Sequence, residues 1–285
     1  MFAWSEIRGE QVPKSNRNDS QDLGTGQFHG LKDKQRAMRD GFPDGLTLRV
    51  HRALSWLGRA EAEHDDDDIR FILLWVGFNS AYASDVSAEL ASERGAFRSF
   101  FETLVFLDGD RRIYNAVWQR FSQEIRLLLS NKYVFQPFWN HQNGVPGYGD
   151  WADKLASSQR AIAAAMAQQD TPRILSVLFD RLYVLRNQLV HGGATWNSKV
   201  NRDQVRDGAA VLGFLLPIFI DIMMDNAGHN WGIPFYPVVE SPFRKGLSGR
   251  GCCDSGSLQT SRRQACGPRP PVRSIGAWRN DTRRI

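Results

Sequence analysis

The chain has 285 residues and a formal net charge of +5, from 36 Lys and Arg against 31 Asp and Glu. Residues 241–285 carry ten basic and two acidic residues, whereas residues 1–240 carry 26 basic and 29 acidic ones. The basic balance of the whole chain is therefore no evidence for a nucleic-acid surface on residues 1–240. All three cysteines also lie in residues 241–285, which excludes a disulfide framework elsewhere in the chain.

Both ends of the chain have the composition of segments without a core. Residues 1–42 are polar and rich in Gly, Asn, Gln and Asp, and we predict a flexible N-terminal extension. Residues 241–285 are rich in Arg, Ser, Gly and Pro, which predicts a disordered tail. Such a composition also arises from an out-of-frame reading of GC-rich DNA. The first eight residues lack the basic-then-apolar order of a secretory signal, so we expect a cytoplasmic protein.

Between these ends, residues 43–240 are predicted to form one all-α domain. Apolar residues recur there at the three-and-four spacing of buried helix faces. The predicted helices are 46–63, 68–93, 96–108, 111–130, 151–169, 172–190 and 201–226. The second of them is apolar nearly all round between Ile69 and Val76, which indicates a central, buried helix.

Three other stretches of this domain have a distinct composition. Residues 131–150 are aromatic and contain Gly and Pro, which predicts a long structured loop of a kind that often borders a functional site. The apolar run in 201–226 is bounded by Asp207 and Asp221 and is too short for a membrane span of about 20 residues. We therefore expect a buried core helix or a homodimer face. Residues 231–239 are predicted to be an extended closing strap.

An acidic run, residues 64–68, precedes the second helix. Four consecutive aspartates could attract a divalent cation, but consecutive positions cannot all converge on one ion. Aspartate at a helix start also suits the N-cap and the helix dipole. The run therefore predicts a solvated helix cap, and no metal site is expected.

The helix predicted at 172–190 ends in three residues that carry chemistry. Arg186, Asn187 and His191 are followed by Gly192 and Gly193, which can adopt positive φ and stop the helix. A cation, an amide and an imidazole that can exchange a proton near neutral pH are thus gathered at one helix end. Arg186 and His191 are separated by roughly 140° around an ideal helix, and by about 7.5 Å along it.

The same Arg-x4-His spacing occurs once more, from Arg59 to His64. That copy has alanine after the arginine and no glycine stop, so the spacing alone is not specific. A cationic helix C-terminus is also stabilised by the helix dipole without any further function.

The sequence Arg-Asn-x3-His-Gly at a helix end resembles the signature of the HEPN superfamily. Residues 71–83 also resemble the second helix of bacterial HEPN domains of the Apea-like kind. The resemblance implies an all-α helical bundle of the HEPN type, here with an inserted aromatic loop and disordered termini. It also implies a metal-independent endoribonuclease without a cofactor, of the kind found in toxin, phage-defence and abortive-infection systems.

The resemblance suggests a role for each residue of the motif. His191 is the expected general acid or base and Arg186 the phosphate ligand, while Asn187 would hold the scissile phosphate or fix the tautomer of His191. In this family two motifs commonly face one cleft of a homodimer. The expected partners are therefore RNA, a second copy of the chain, and a cognate antitoxin or defence protein.

A polar residue on the second helix often orients the arginine in HEPN proteins. Asn79 is our candidate for that supporting role, with Glu61 and Glu63 as rivals. Asn79 could equally bond a backbone carbonyl or face water.

One alternative function remains open. The acidic balance of residues 1–240 favours a catalytically inactive helical module that binds a protein partner or a nucleotide in a defence or stress system.

Overall fold

The computed structural model describes residues 27–82, 93–234 and 236, and within these residues it contains helices and no β-strand. The all-α prediction is confirmed. The α-helices are α1 (Gln27–Met38), α2 (Asp44–Glu61), α3 (Asp67–Tyr82), α4 (Glu93–Leu107), α5 (Arg112–Asn115), α6 (Ser122–Ser130), α7 (Gln136–Gln142), α8 (Trp151–Ala167), α9 (Thr171–Val190) and α10 (Arg202–Asp225). The predicted flexible residues 1–26 and the predicted disordered tail, 241–285, lie outside the described residues.

Two predicted helices differ from their observed form. The helix predicted at 111–130 consists of α5, a π-helical turn at Ala116–Arg120, and α6. In that turn the Phe121 N–H donates to the Ala116 carbonyl, 3.0 Å away. Of the helix predicted at 68–93, the part up to Tyr82 is α3, residues 83–92 lie outside the described residues, and Glu93 is the first residue of α4.

The prediction of a flexible extension is wrong for residues 27–42. Helix α1 packs on α2, where the Phe28 ring covers Gly58 so closely that a Cβ there would come within 2.9 Å of it. The Glu61 carboxylate accepts the Phe28 backbone N–H at 3.1 Å and holds the start of α1. The sequence of α1 is mostly polar and therefore did not predict this packing, because only a few apolar side chains make the contact.

The prediction of a loop for residues 131–150 is partly wrong. The segment contains a 3₁₀ turn at Lys132–Val134 and then α7. Phe138 of α7 is buried, and its ring packs edge-on against Tyr133 and Trp151. A helix of two turns shows too little periodicity to be distinguished from an aromatic loop by its sequence.

The core is centred on α3, as its uniformly apolar sequence predicts. Phe78 lies 4.4 Å from Phe179 of α9, ring centroid to centroid. Trp75, one turn earlier on α3, contacts both Phe179 and Tyr183. Later residues of α3 thus contact earlier residues of α9. Helices α3 and α9 are therefore antiparallel. Gly77 permits the close approach of α10, because a Cβ there would lie 2.8 Å from a Leu216 methyl group.

Helix α10 packs beside α3 as a core helix. Among the described residues it is the helix long and apolar enough to cross a membrane by length and composition. However, 67% of its most apolar stretch is buried within the protein, which is the behaviour of a core helix.

Of the strap predicted at 231–239, residues 231–234 form no helix and Gly232 has a φ of +75°, while residues 235 and 237–239 lie outside the described part. The buried guanidinium of Arg49 holds it by donating to the Ile233 carbonyl at 3.0 Å. The same side chain donates to the Ala81 carbonyl at the end of α3, 2.9 Å away. Burial lowers the pKa of Arg49 to about 10, so it remains a cation at neutral pH.

A charge cluster joins α1, α5 and α10 at Asp221. Its carboxylate bonds Lys34 at 2.6 Å and also bonds Arg112. Burial favours the neutral acid, but the bonds to Lys34 and Arg112 outweigh it and hold the pKa of Asp221 below its ordinary value. A carboxylate of this kind stabilises the fold above its unfolded pKa of about 3.9, and this contribution is lost as the pH falls through the folded value.

We therefore expect Asp221→Asn to lower the free energy of unfolding by about 1–2 kcal/mol at pH 7. The difference from the wild type should shrink as the pH falls from about 4 through the lowered folded pKa of Asp221, below which both side chains are neutral. Urea denaturation at pH 7 and at about pH 2 measures both effects. Asp225→Asn is the matched control with a smaller expected loss, since Asp225 bonds only Lys34 among the described residues and is more exposed. An equal loss at both pH values would contradict the ion-pair explanation.

Candidate functional site

Helix α9 keeps its hydrogen-bond register up to His191. The His191 N–H donates to the Asn187 carbonyl at 3.0 Å, as it would inside a helix. Gly192 then adopts a φ of +71°, and the Ala194 N–H closes the turn on the Gln188 carbonyl at 3.0 Å. The glycine stop predicted from the sequence is confirmed, and it ends α9 directly after the residues of interest.

The end of α9 brings Arg186, Asn187 and His191 into one row of neighbours. Because the register continues to His191, Asn187 lies one helical turn before it on the same face. The Arg186 Nη1 donates to the Asn187 Oδ1 at 2.9 Å. Asn187 therefore lies between the guanidinium and the imidazole, both along the helix axis and around it.

The polar groups of this row have unused hydrogen-bonding capacity. Among the described residues, Asn187 is the only side-chain partner of Arg186, and the exposed His191 ring makes no hydrogen bond. A guanidinium has five N–H donors and a side-chain amide has two. The row thus offers several donors to an anion, next to a group that can transfer a proton.

Asn79 is not brought to Arg186. Since α3 and α9 are antiparallel, Asn79 lies level with the Phe179 region of α9, whereas Arg186 lies near the start of α3. The two are separated by about two helical turns, on the order of 10 Å along the axes. No hydrogen bond joins Asn79 to Arg186 within the described residues, and the side-chain partner of Arg186 there is its own neighbour, Asn187. The supporting role of Asn79 stays a prediction.

The rival candidates are also engaged elsewhere. Glu61 accepts the Phe28 N–H at the start of α1, and Glu63 forms an ion pair with Arg59 at 2.8 Å. Arg59 of that ion pair belongs to the second Arg-x4-His copy. Both residues of this copy are exposed, Arg59 in the last turn of α2 and His64 just after the helix.

The acidic run caps α3 and also holds the loop that follows His191. Asp66 accepts the backbone N–H groups of Asp68 and Ile69 at 2.9 and 3.0 Å, which confirms the predicted helix cap. Its other oxygen accepts the Trp196 Nε1 at 2.6 Å. Burial opposes the charge of Asp66, but these hydrogen bonds prevail and lower its pKa.

Asp68 departs from the predicted solvated cap. It is only 4% exposed, and its Oδ2 accepts the Asn197 N–H at 2.7 Å and bonds Arg202 at 2.9 Å. Asp68 therefore ties the segment 192–202 to the start of α3 beside the end of α9. Within the described part of the chain, no group of three His, Cys, Asp or Glu side chains is placed to hold a metal ion.

An aromatic segment contacts α9 at Gln188, three residues before His191. The Gln188 Nε2 donates to the Tyr133 carbonyl at 2.6 Å, and Trp139 donates to the same oxygen at 2.7 Å. Gln188 precedes His191 by three residues and is its second neighbour on the helix surface. Sequence composition indicated that such a segment borders a site, but it did not show which residue makes the contact.

The fold and the end of α9 together define an all-α protein with an Arg-Asn-x3-His cluster at a glycine-terminated helix. Comparison with protein-family models, curated proteins and solved structures finds no match. The resemblance to HEPN domains thus depends on residues 71–83 and 186–193 of this sequence.

Proposed function

We propose that the chain is a metal-independent endoribonuclease of the HEPN type that acts in a toxin or phage-defence setting. The observation that supports it is the hydrogen bond between Arg186 and Asn187 beside the exposed imidazole of His191. A fixed anion-binding pair and a proton-transfer group are the two parts that metal-free cleavage of RNA requires.

In this proposal His191 removes the proton of a ribose 2′-hydroxyl, or supplies one to the leaving oxygen. The 2′-oxygen attacks phosphorus while the bond from phosphorus to the 5′-oxygen breaks. Arg186 and the Asn187 amide donate to the non-bridging oxygens, where negative charge accumulates. The products are a 2′,3′-cyclic phosphate and a 5′-hydroxyl.

A single imidazole cannot be base and acid in the same step. A homodimer whose isologous interface contains the end of α9 near its twofold axis would supply the second. The exposure of His191 and of Val190 beside it allows a second copy to approach this end of α9.

A second candidate function is favoured by charge. Residues 1–240 carry a net charge of −3, and an endoribonuclease usually has a basic groove. In this alternative the same helix end is a non-catalytic binding site for a nucleotide, a cognate antitoxin or another defence protein.

The purified protein should cleave single-stranded RNA in the presence of EDTA. Its products should carry a cyclic phosphate, detected by mass spectrometry, because the 2′-hydroxyl is the nucleophile. An oligonucleotide of the same sequence with 2′-deoxyribose throughout is the matched control and should remain intact. A requirement for a divalent metal, or products with 5′-phosphates, would contradict the proposed mechanism. Failure to cleave any RNA would leave the binding module as the better explanation.

A further inference from the structure

The surface beside His191 combines an aromatic ring with a cation; we call Lys132, Tyr133 and Gln188 the Tyr133 face. Tyr133 is 39% exposed although its backbone carbonyl is fixed by both Gln188 and Trp139. The Phe138 ring packs perpendicular to the Tyr133 ring, with centroids 5.6 Å apart, and supports it from the protein side. The ring is therefore held in place while part of it remains accessible.

Lys132 gives this face a positive charge. Its Nζ lies 5.1 Å from the centroid of the Tyr133 ring, and the side chain is exposed. Among the described residues it forms no ion pair with a carboxylate. Aromatic rings interleaved with cations are the pattern with which proteins bind single-stranded nucleic acids, through base stacking and phosphate contacts.

The position of this face relative to the motif is set by Gln188. His191 has Asn187 and Gln188 as its neighbours on the preceding turn, and they connect it to different groups. Asn187 leads to the Arg186 guanidinium, whereas Gln188 leads to Tyr133. The nucleoside attached to a phosphate beside His191 would thus extend toward Gln188 and the Tyr133 face.

We propose that the Tyr133 face is the binding subsite for the nucleoside next to the scissile phosphate. The base stacks on Tyr133, and Lys132 contacts the following phosphate. This inference rests on the proposed function and specifies the substrate as single-stranded RNA, because a base inside a duplex is already stacked on both sides. Stacking is tolerant of base identity, so the subsite contributes affinity more than sequence specificity.

The structural and binding roles of Tyr133 can be separated. Its backbone carbonyl accepts the two hydrogen bonds, so Tyr133→Ser removes the ring and leaves that acceptor in place. Tyr133→Phe retains the ring, and Tyr133→Leu retains apolar packing against Phe138 without an aromatic face.

The chain also offers a matched control at the opposite end of α9. Arg111 lies over the Tyr114 ring at 4.2 Å, which is another cation beside an aromatic ring. Tyr114 contacts Trp118, which donates to Thr171 at the first residue of α9. This pair is therefore separated from His191 by the length of α9, about 30 Å. Tyr114→Ser should not affect RNA binding.

The test measures the Kd of the full-length chain for a fluorescein-labelled single-stranded RNA of about 10 nucleotides, with 2′-O-methyl groups that prevent cleavage. Tyr133→Ser and Tyr133→Leu should weaken binding by roughly 5-fold to 150-fold, the range for loss of one base–aromatic stack. Tyr133→Phe and Tyr114→Ser should bind as the wild type does. Lys132→Gln should reduce the salt dependence of binding by about one phosphate contact.

The outcomes distinguish the subsite from the cleavage activity. If the wild type cleaves RNA but Tyr133→Ser and Tyr133→Leu retain its Kd, the subsite is refuted and the endoribonuclease stands. If binding depends on Tyr133 but no RNA is cleaved, the subsite stands and the catalytic proposal fails. Equal binding of a duplex of the same sequence, with the same loss in the Tyr133 variants, would overturn the single-strand assignment. Should Tyr133→Ser fail to fold, as judged by circular dichroism, Tyr133→Leu and Lys132→Gln decide the question.

Discussion

RNA cleavage by the His191→Ala variant should be slower than that by the wild type by a factor on the order of 10²–10⁴. The imidazole is the general acid or base of the proposed mechanism, and neither Arg186 nor Asn187 can replace it in proton transfer. The fold should be unaffected, because the His191 side chain is exposed and its backbone makes the helix-end hydrogen bond. Single-turnover cleavage of a labelled RNA measures the rate.

Arg186→Lys should be impaired to a similar degree, although it conserves the charge. A lysine ammonium cannot bond Asn187 and also present a planar pair of donors to a phosphate, as a guanidinium does. The loss should appear in the rate of cleavage at saturating RNA, since the pair acts on charge that develops during the reaction.

The second Arg-x4-His copy provides the control for both variants. Arg59→Ala and His64→Ala change the same residue types at the same spacing, on an exposed stretch where Arg59 bonds Glu63. Cleavage should proceed at the wild-type rate in both. If His191→Ala cleaves RNA as fast as the wild type, His191 has no catalytic role. A non-catalytic binding module then explains the end of α9 better.

Asp68→Ala should lower the free energy of unfolding by about 3 kcal/mol. The buried Asp68 carboxylate, at the start of α3, pairs with Arg202 and accepts the Asn197 N–H. The substitution removes both of these contacts. The estimate lies at the lower end for a broken buried ion pair because the Arg202 side chain is 27% exposed and can be partly rehydrated. Urea denaturation monitored by circular dichroism at 222 nm, a helix signal, measures the loss.

Asp65→Ala is the matched control from the same acidic run. Asp65 is exposed and makes no side-chain hydrogen bond with the described residues, so its loss should change the stability by less than about 0.5 kcal/mol. Asp68→Asn should be intermediate, since it keeps an acceptor for Asn197 but loses the charge that faces Arg202. Equal stability of the Asp68→Ala and Asp65→Ala variants would show that the run is only a solvated cap.

Features that depend on near neighbours in the chain were predictable from the sequence. The three-and-four spacing of apolar residues identified the main helices, because each buried stripe repeats within one or two turns. The glycine after His191 indicated the end of α9, since positive φ is readily available only to glycine. The proximity of Asn187 and His191 follows from the same local geometry.

Only the tertiary structure decided which helices meet and in which direction. A buried stripe specifies a face but neither its partner nor its orientation, so the sequence did not show that α3 and α9 are antiparallel. The same limit concealed the burial of Asp68 and the packing of α1, both of which depend on contacts with distant parts of the chain. It also concealed the contact between Gln188 and Tyr133, which are 55 residues apart. Hydrogen bonds across such separations form only after the helices have packed, and no short-range pattern of residue types encodes them.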